Sequence, residues 1–404
     1  MKALIALPWD FATGGVTHVA TSLARVMTGR GHEVTFLFPE ETWIVRQRIS
    51  CQGFDALRCR LRDYPPEGSD LHRRLSWYSS VWATLPQLTA RVRARQIDLI
   101  NVHYPGTGLA LLADLRRRLG IALVVSVHGS DILTDRGPDR SPGMMRLLEE
   151  ADAIVTPSRV YLESVLREYP GLAPKAMAIY NGFDPAEVPS GAGSGGRDPG
   201  SKPVALCIAA PVHKKGIDVL LHALHALGSD NGPTLRLVGD GPLRSELEQL
   251  SARLGLADRV VFLGERPRKE VFEEVVRCDM LVMPSRHESE SFGLATLEAM
   301  ACGKPVIASA VGGLVELVAH DETGLLVPRD DPPALAQAIR RLVQDPMLRA
   351  RLGQAGRRRA QQFTVERMGE SYEKLFNQVI DARRRRARIP VRVSRATEET
   401  TYRP

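Results

Sequence analysis

A chain of 404 residues with 44% hydrophobic and 25% charged side chains can bury ample apolar surface in two or three domains, which excludes global disorder. Its five cysteines, Cys51, Cys59, Cys207, Cys278 and Cys302, lack CxxC or Cys/His spacing, which excludes a disulfide framework or thiolate zinc site and suits reduced thiols in a cytoplasmic protein. Net charge is +7, with much of the excess at Arg383–Arg386, Arg388, Arg392 and Arg395; no interleaved aromatics accompany that run, so no nucleic-acid partner is expected.

Short apolar runs alternate with longer helical patterns, the signature of parallel βαβ units and a doubly wound α/β fold. The first half offers strands at Lys2–Leu7, Glu33–Phe38, Leu99–Val102, Leu123–His128 and Ala153–Pro157, with a helix over Val16–Met27. The apolar start lacks the basic flank and long apolar stretch of a leader, and reads as the first strand. No apolar run approaches the ~20 residues of a membrane span.

Residues 184–203 turn abruptly to Pro, Gly, Ser and Ala and read as a linker between domains 1–183 and 204–365. The second series runs through strands Val204–Ala209, Leu235–Val238, Val260–Leu263, Met280–Pro284 and Pro305–Ser309. Its helices are expected at Gly216–Leu227, Leu243–Leu254, Lys269–Arg277 and Leu294–Ala301. A helix over 366–382 is expected to return to the first domain, ahead of a disordered basic tail, 383–404. Ligands bind such sheets at the carboxyl ends of strands, so the cleft between the domains is the expected site.

The most informative stretch runs from Pro284 to Ile307: strand end, acidic loop, helix, glycine stop and strand. Backbone N–H groups at Phe292, Gly293 and Leu294 open the helix and carry about half a positive charge, a site for a diphosphate. Glu298 lies about one turn further on, roughly 6 Å along the axis, and Glu290 stays in the loop before the helix.

This stretch resembles the E-x7-E segment of retaining GT-B glycosyltransferases, family 4 or group 1, and the resemblance covers residues from about 3 to 375. It implies two Rossmann-like domains facing a cleft. It also implies Glu290 on the donor sugar, with Glu288 as a rival, and Glu298 on the ribose. His128, in His128-Gly-Ser-Asp131 at a strand end, falls where the family places a histidine near the sugar and phosphate. Lys215 resembles the family's phosphate-binding lysine. The arginine usual five residues earlier is Ala210 here, so either Lys214, His213 or Arg286 replaces it or donor binding is weakened. Gly14-Gly15 opens the first helix, and Gly15 allows close approach of donor or acceptor. Gly239–Pro242 and Gly312-Gly313 read as turns, Glu316 is the side chain to watch beside them, and His32 reads as a strand-entry residue.

No Asp-x-Asp occurs, so neither metal nor cofactor is expected, and helix dipole plus lysine would take the metal's role. The expected reaction moves a hexosyl group from a nucleoside-diphosphate sugar to an acceptor glycan, lipid or small molecule, with retention. Alternatives are a nucleotide-sugar 2-epimerase of related fold and a catalytically weak sugar-nucleotide-binding subunit.

Leu71, Leu75, Tyr78, Trp82 and Leu85 recur at helical spacing beside Arg73, Arg74 and Trp77. Such a stripe suits either contact with an anionic membrane surface or packing onto the sheet.

Overall fold

A computed structural model of the chain describes residues 1–10, 14–42, 44–49, 53–66, 68–134, 137–138, 140–191, 202–228 and 232–388. Cys51, most of the Gly-rich linker centre and the tail from residue 389, with Arg392 and Arg395, lie outside the described residues.

The first sheet contains β1 (Lys2–Ala6), β2 (Glu33–Pro39), β3 (Arg46–Ile49), β4 (Asp55–Cys59), β5 (Leu99–His103), β6 (Ala122–Ser126), β9 (Ala153–Thr156) and β10 (Ala176–Ala178). A two-strand ribbon, β7 (Leu133–Thr134) with β8 (Gly137–Pro138), stands apart. The order is β10-β9-β6-β5-β1-β2-β4-β3, parallel throughout except for the β3–β4 pair. Its central strands are buried end to end, as parallel strands covered on both faces must be, and so read as unbroken apolar runs. Strands β3 and β4 were not expected. Arg46, Arg48, Asp55 and Arg58 interrupt the apolar signal there, as suits a sheet edge.

The second sheet, β11 (Val204–Ile208), β12 (Thr234–Val238), β13 (Val260–Gly264), β14 (Met280–Met283), β15 (Val306–Ser309) and β16 (Leu325–Val327), is ordered β13-β12-β11-β14-β15-β16. All its pairs are parallel. In both sheets the strand order reverses at the centre, between β1 and β5 and between β11 and β14. The carboxyl ends at those two points flank a crevice, the place where open α/β sheets bind their ligands.

The last helix, Val365–Arg388, leaves the second domain and packs on the first. Met368, Tyr372, Leu375, Phe376 and Val379 are buried with Val19, Leu23 and Met27 of the helix Gly15–Gly29. Each such side chain contributes about 1.5–3 kcal/mol of burial.

The structure corrects two expectations. The basic run at 383–388 is not tail but the last turns of this helix, and it is held there by charge: Arg383 pairs with Asp152 and Arg384 with Asp98, both at 2.9 Å. Of the stripe on the helix Leu71–Ala94, only Leu85 packs inward. Leu71, Leu75, Tyr78 and Trp82 face solvent, Trp82 at 84% exposure, while Trp77, Leu85, Leu88 and Val92 are buried.

Candidate active site

The cleft between the domains holds a cavity of about 800 Å³, and all nine residues singled out for donor binding or catalysis line it: Gly15, His128, Lys214, Lys215, Glu290, Phe292, Gly293, Leu294 and Glu298. Four come from the segments that follow β1, β6 and β11; the other five belong to the loop and helix after β14.

Local backbone chemistry explains the placement of the charged pair. Gly216 has φ +62°, and a Cβ there would stand 2.1 Å from the Pro284 carbonyl oxygen, so only glycine lets the loop after β11 lie against the end of β14. That close approach carries Lys215 to the acidic loop, where its Nζ is 2.6 Å from Glu290 Oε2. Ser285 Oγ donates to the same oxygen at 2.8 Å. Burial would raise the Glu290 carboxyl, but Lys215, the Ser285 hydroxyl and Lys214 outweigh it and hold it below the usual carboxylate range. Glu288 is not part of this group. It lines no part of the cavity, and its carboxylate meets Ser164 at 3.1 Å and Arg167 at 3.7 Å in the first domain.

The helix Leu294–Ala301 begins at Gly293, in the left-handed region at φ +93°. Phe292, Gly293, Leu294 and Ala295 at its start line the cavity, and across the gap a Cβ on Gly15 would come within 3.2 Å of Leu294 Cδ1. Phe292 itself is buried against Tyr180 and Phe363, so only its backbone can meet a ligand. The Gly312-Gly313 turn supports this loop from below: Gly313 N–H donates to the Glu290 carbonyl at 2.8 Å, and a Cβ on either glycine would strike that loop's backbone.

Glu298, 5% exposed, is paired with Arg268 at 2.9 Å; burial raises its carboxyl in spite of that partner. Arg268 also holds Glu187 at 2.6 Å, and Glu187 lies 3.9 Å from His18 of the first helix. Sequence reading missed Arg268, Glu187 and His18, although all three line the cavity. A signal existed for Arg268, since Glu265-Arg-Pro-Arg268 follows the carboxyl end of β13. For Glu187, inside a Pro-rich linker, there was none.

Of the three residues proposed to stand in for the arginine missing at Ala210, Arg286 is engaged elsewhere, by Asp218 at 2.8 Å and Asp330 at 2.7 Å. His213 offers its carbonyl to Arg286, and only Lys214 lines the cavity. Glu316 acts across the domains instead: its carboxylate accepts from Val160 N–H and from the Tyr180 hydroxyl, both at 2.6 Å. His32, just before β2, meets the Met1 amino group at 3.1 Å and Glu373 of the last helix at 2.6 Å.

On the opposite wall, His128 sits on a turn held by Asp131, whose carboxylate accepts from the His128 and Gly129 N–H groups at 2.7–3.0 Å. Burial pushes Asp131 up to about 7 and drives the His128 imidazole down to about 3. The domains touch here, Ser291 Oγ donating to the His128 carbonyl at 2.5 Å and Ser158 Oγ to the Ser291 carbonyl at 2.7 Å. Among the described residues no three His, Cys, Asp or Glu side chains are grouped to hold a metal ion, and no helix is long and apolar enough to cross a membrane.

Two parallel α/β domains of this topology facing one cleft form the GT-B arrangement. The sequence profile "Glycosyltransferase Family 4" matches residues 13–187 and "Glycosyl transferases group 1" matches 196–359. The chain is 31% identical to an uncharacterized glycosyltransferase of Methanocaldococcus jannaschii over 72% of its own length and 78% of that protein. It is 28% identical to the N-acetyl-alpha-D-glucosaminyl L-malate synthase of Bacillus anthracis, covering 94% of this chain and 98% of that one. Among solved structures, sucrose-phosphate synthase from Thermosynechococcus elongatus superposes with a TM-score of 0.74 at 25% identity, over 95% of this chain and all of that one. The chain belongs to the group 1 glycosyltransferases.

Proposed function

We propose that this enzyme moves a hexosyl group from a nucleoside diphosphate to an acceptor hydroxyl without a metal ion and with retention at the anomeric carbon. One observation carries the reading: Lys215, Glu290, the start of the helix Leu294–Ala301 and Glu298 follow one another along a single wall of the cleft. The helix N–H groups and Lys215 supply positive charge where a diphosphate leaves, the kind of preorganised electrostatics that dominates such catalysis. Lys214 adds to it. Glu298, about one turn along the helix, meets the ribose hydroxyls, and Glu290 with His128 orients the sugar between them.

In the front-face route the bond from the anomeric carbon to the phosphate oxygen breaks, the acceptor oxygen bonds to that carbon on the same face, and the acceptor proton passes to a phosphate oxygen. Proton NMR of the first product formed from a nucleotide sugar tests this. The donor's anomeric configuration is expected in the product, and an inverted product would overturn the retaining route.

The acceptor reading is a lipid or glycan presented at an anionic membrane surface on the cytoplasmic side. Its support is the solvent-facing row Leu71, Leu75, Tyr78 and Trp82, with Arg73 and Arg74 on the same helix. A second reading, a small soluble acceptor, draws on the Bacillus anthracis relative, which is named for L-malate.

A further inference from the structure

Behind His128 lies a chain of buried polar groups for which the donor contacts give no use. Asn101 and His103 are two apart on β5, so their side chains share one face of the sheet, and both are completely buried. Their neighbours on β6 are Val124 and Ser126. His103 Nε2 lies 2.7 Å from Asn101 Oδ1, and His103 Nδ1 lies 3.0 Å from His128 Nε2.

The proton positions along this chain follow from one backbone carbonyl. Asn101 Nδ2 lies 3.3 Å from the Val124 carbonyl oxygen, which can only accept, and 3.0 Å from Ser126 Oγ. The amide nitrogen therefore points at Val124, and Oδ1 must be the atom that faces His103. Oδ1 only accepts, so His103 Nε2 carries a proton. Burial keeps His103 far below its ordinary value and hence neutral, which leaves its Nδ1 bare. A bare Nδ1 needs a donor, and the atom opposite is His128 Nε2. Ser126 is itself fixed from the far side by the Tyr372 hydroxyl of the last helix, which donates to it at 3.0 Å.

We infer that Asn101 and His103 are positioning residues that hold His128 in the Nε2–H tautomer, so that its Nδ1 meets the donor as a hydrogen-bond acceptor. That nitrogen has no partner among the described residues, and the ring lines the cleft. An acceptor nitrogen takes a hydrogen bond from a sugar hydroxyl and is repelled by phosphate oxygens, so the ring reads the sugar and not the diphosphate. This last step rests on the glycosyl-transfer reading; the tautomer does not.

Two-bond proton–nitrogen NMR of the ligand-free, full-length chain labelled at histidine nitrogen tests the tautomer with no substrate present. At neutral pH, His128 is expected to show a protonated Nε2 and a bare Nδ1; a protonated Nδ1 overturns the inference. His103→Phe keeps the ring volume but removes the acceptor, and is expected to release His128 into mixed tautomers and to lower kcat roughly tenfold. Its affinity for the nucleoside diphosphate alone should not change. His103→Asn returns an amide oxygen near the position of Nδ1, and should restore both the tautomer and most of kcat. A His128 that stays Nε2–H in His103→Phe overturns the positioning role. A fall in nucleoside diphosphate affinity in that variant, with the tautomer as inferred, overturns the assignment of the ring to the sugar.

Discussion

Lys215 Nζ stands 2.6 Å from Glu290 Oε2, so the cation assigned to the diphosphate and the anion assigned to the sugar neutralise each other across the floor of the cleft. Ser285 and Lys214 also favour the ionised carboxylate. On the proposed reading the pair also links the two halves of the donor. A phosphate that draws Lys215 toward it is then expected to release Glu290 to accept from sugar hydroxyls.

Lys215→Ala is expected to lower kcat by about 10²–10³, because charge on the diphosphate grows toward the transition state and the lysine meets it there. Steady-state kinetics with the preferred donor checks this. A raised KM at unchanged kcat would show that the lysine serves ground-state binding alone.

Glu298→Ala is expected to weaken nucleotide affinity by about 1.5–3 kcal/mol, the value of a hydrogen-bonded charged group, with less effect on the chemical step. Removing its partner should act through it: Arg268→Ala leaves a buried carboxylate unpaired and raises that carboxyl further. Titration calorimetry with the nucleoside diphosphate reads both variants. Affinity intact in Glu298→Ala would remove the ribose assignment.

The cleft should make the fold sensitive to mild acid. Burial, with Arg268 and Arg25 adding to it, drives the His18 imidazole down to about 3. In the unfolded chain the same group takes up a proton near pH 6.5. Between those values the unfolded state binds more protons, so this group's stabilisation is fully present above about 6.5 and is lost as pH falls toward 3. His18→Gln removes the term. Its melting temperature should fall less than that of the wild type between pH 7 and 5, and parallel curves would contradict the assignment.

Trp82→Ala combined with Leu75→Ala is expected to abolish sedimentation with anionic vesicles at low salt without changing the fold, since both side chains face solvent. Wild-type binding no stronger to anionic than to neutral vesicles would move the acceptor reading to a small soluble molecule.

What could be read from the sequence was what is local to it. Glu290, the helix start and Glu298 fall within one strand–loop–helix passage, so spacing alone sets their relations, and Lys215-Gly216 carries its own turn signal. Contacts made across the chain were not legible. Arg268 meets Glu187 81 residues away, and Glu316 meets Val160 156 residues away, through folded geometry and not through any pattern. The helix Leu71–Ala94 shows a different failure. It carries two apolar rows, and periodicity identifies an amphipathic helix without saying which row the sheet will take. Trp77, Thr84, Leu88 and Val92 went inward and the more conspicuous aromatic row stayed out.

The central claim is that helix start and lysines replace a metal in discharging a nucleotide sugar. Release of nucleoside diphosphate from a panel of nucleotide sugars, measured in EDTA, tests it most directly. The account predicts turnover of one donor in chelator at the rate seen without it, lost in Lys215→Ala. Loss of all turnover in EDTA, restored by Mn²⁺, would contradict it.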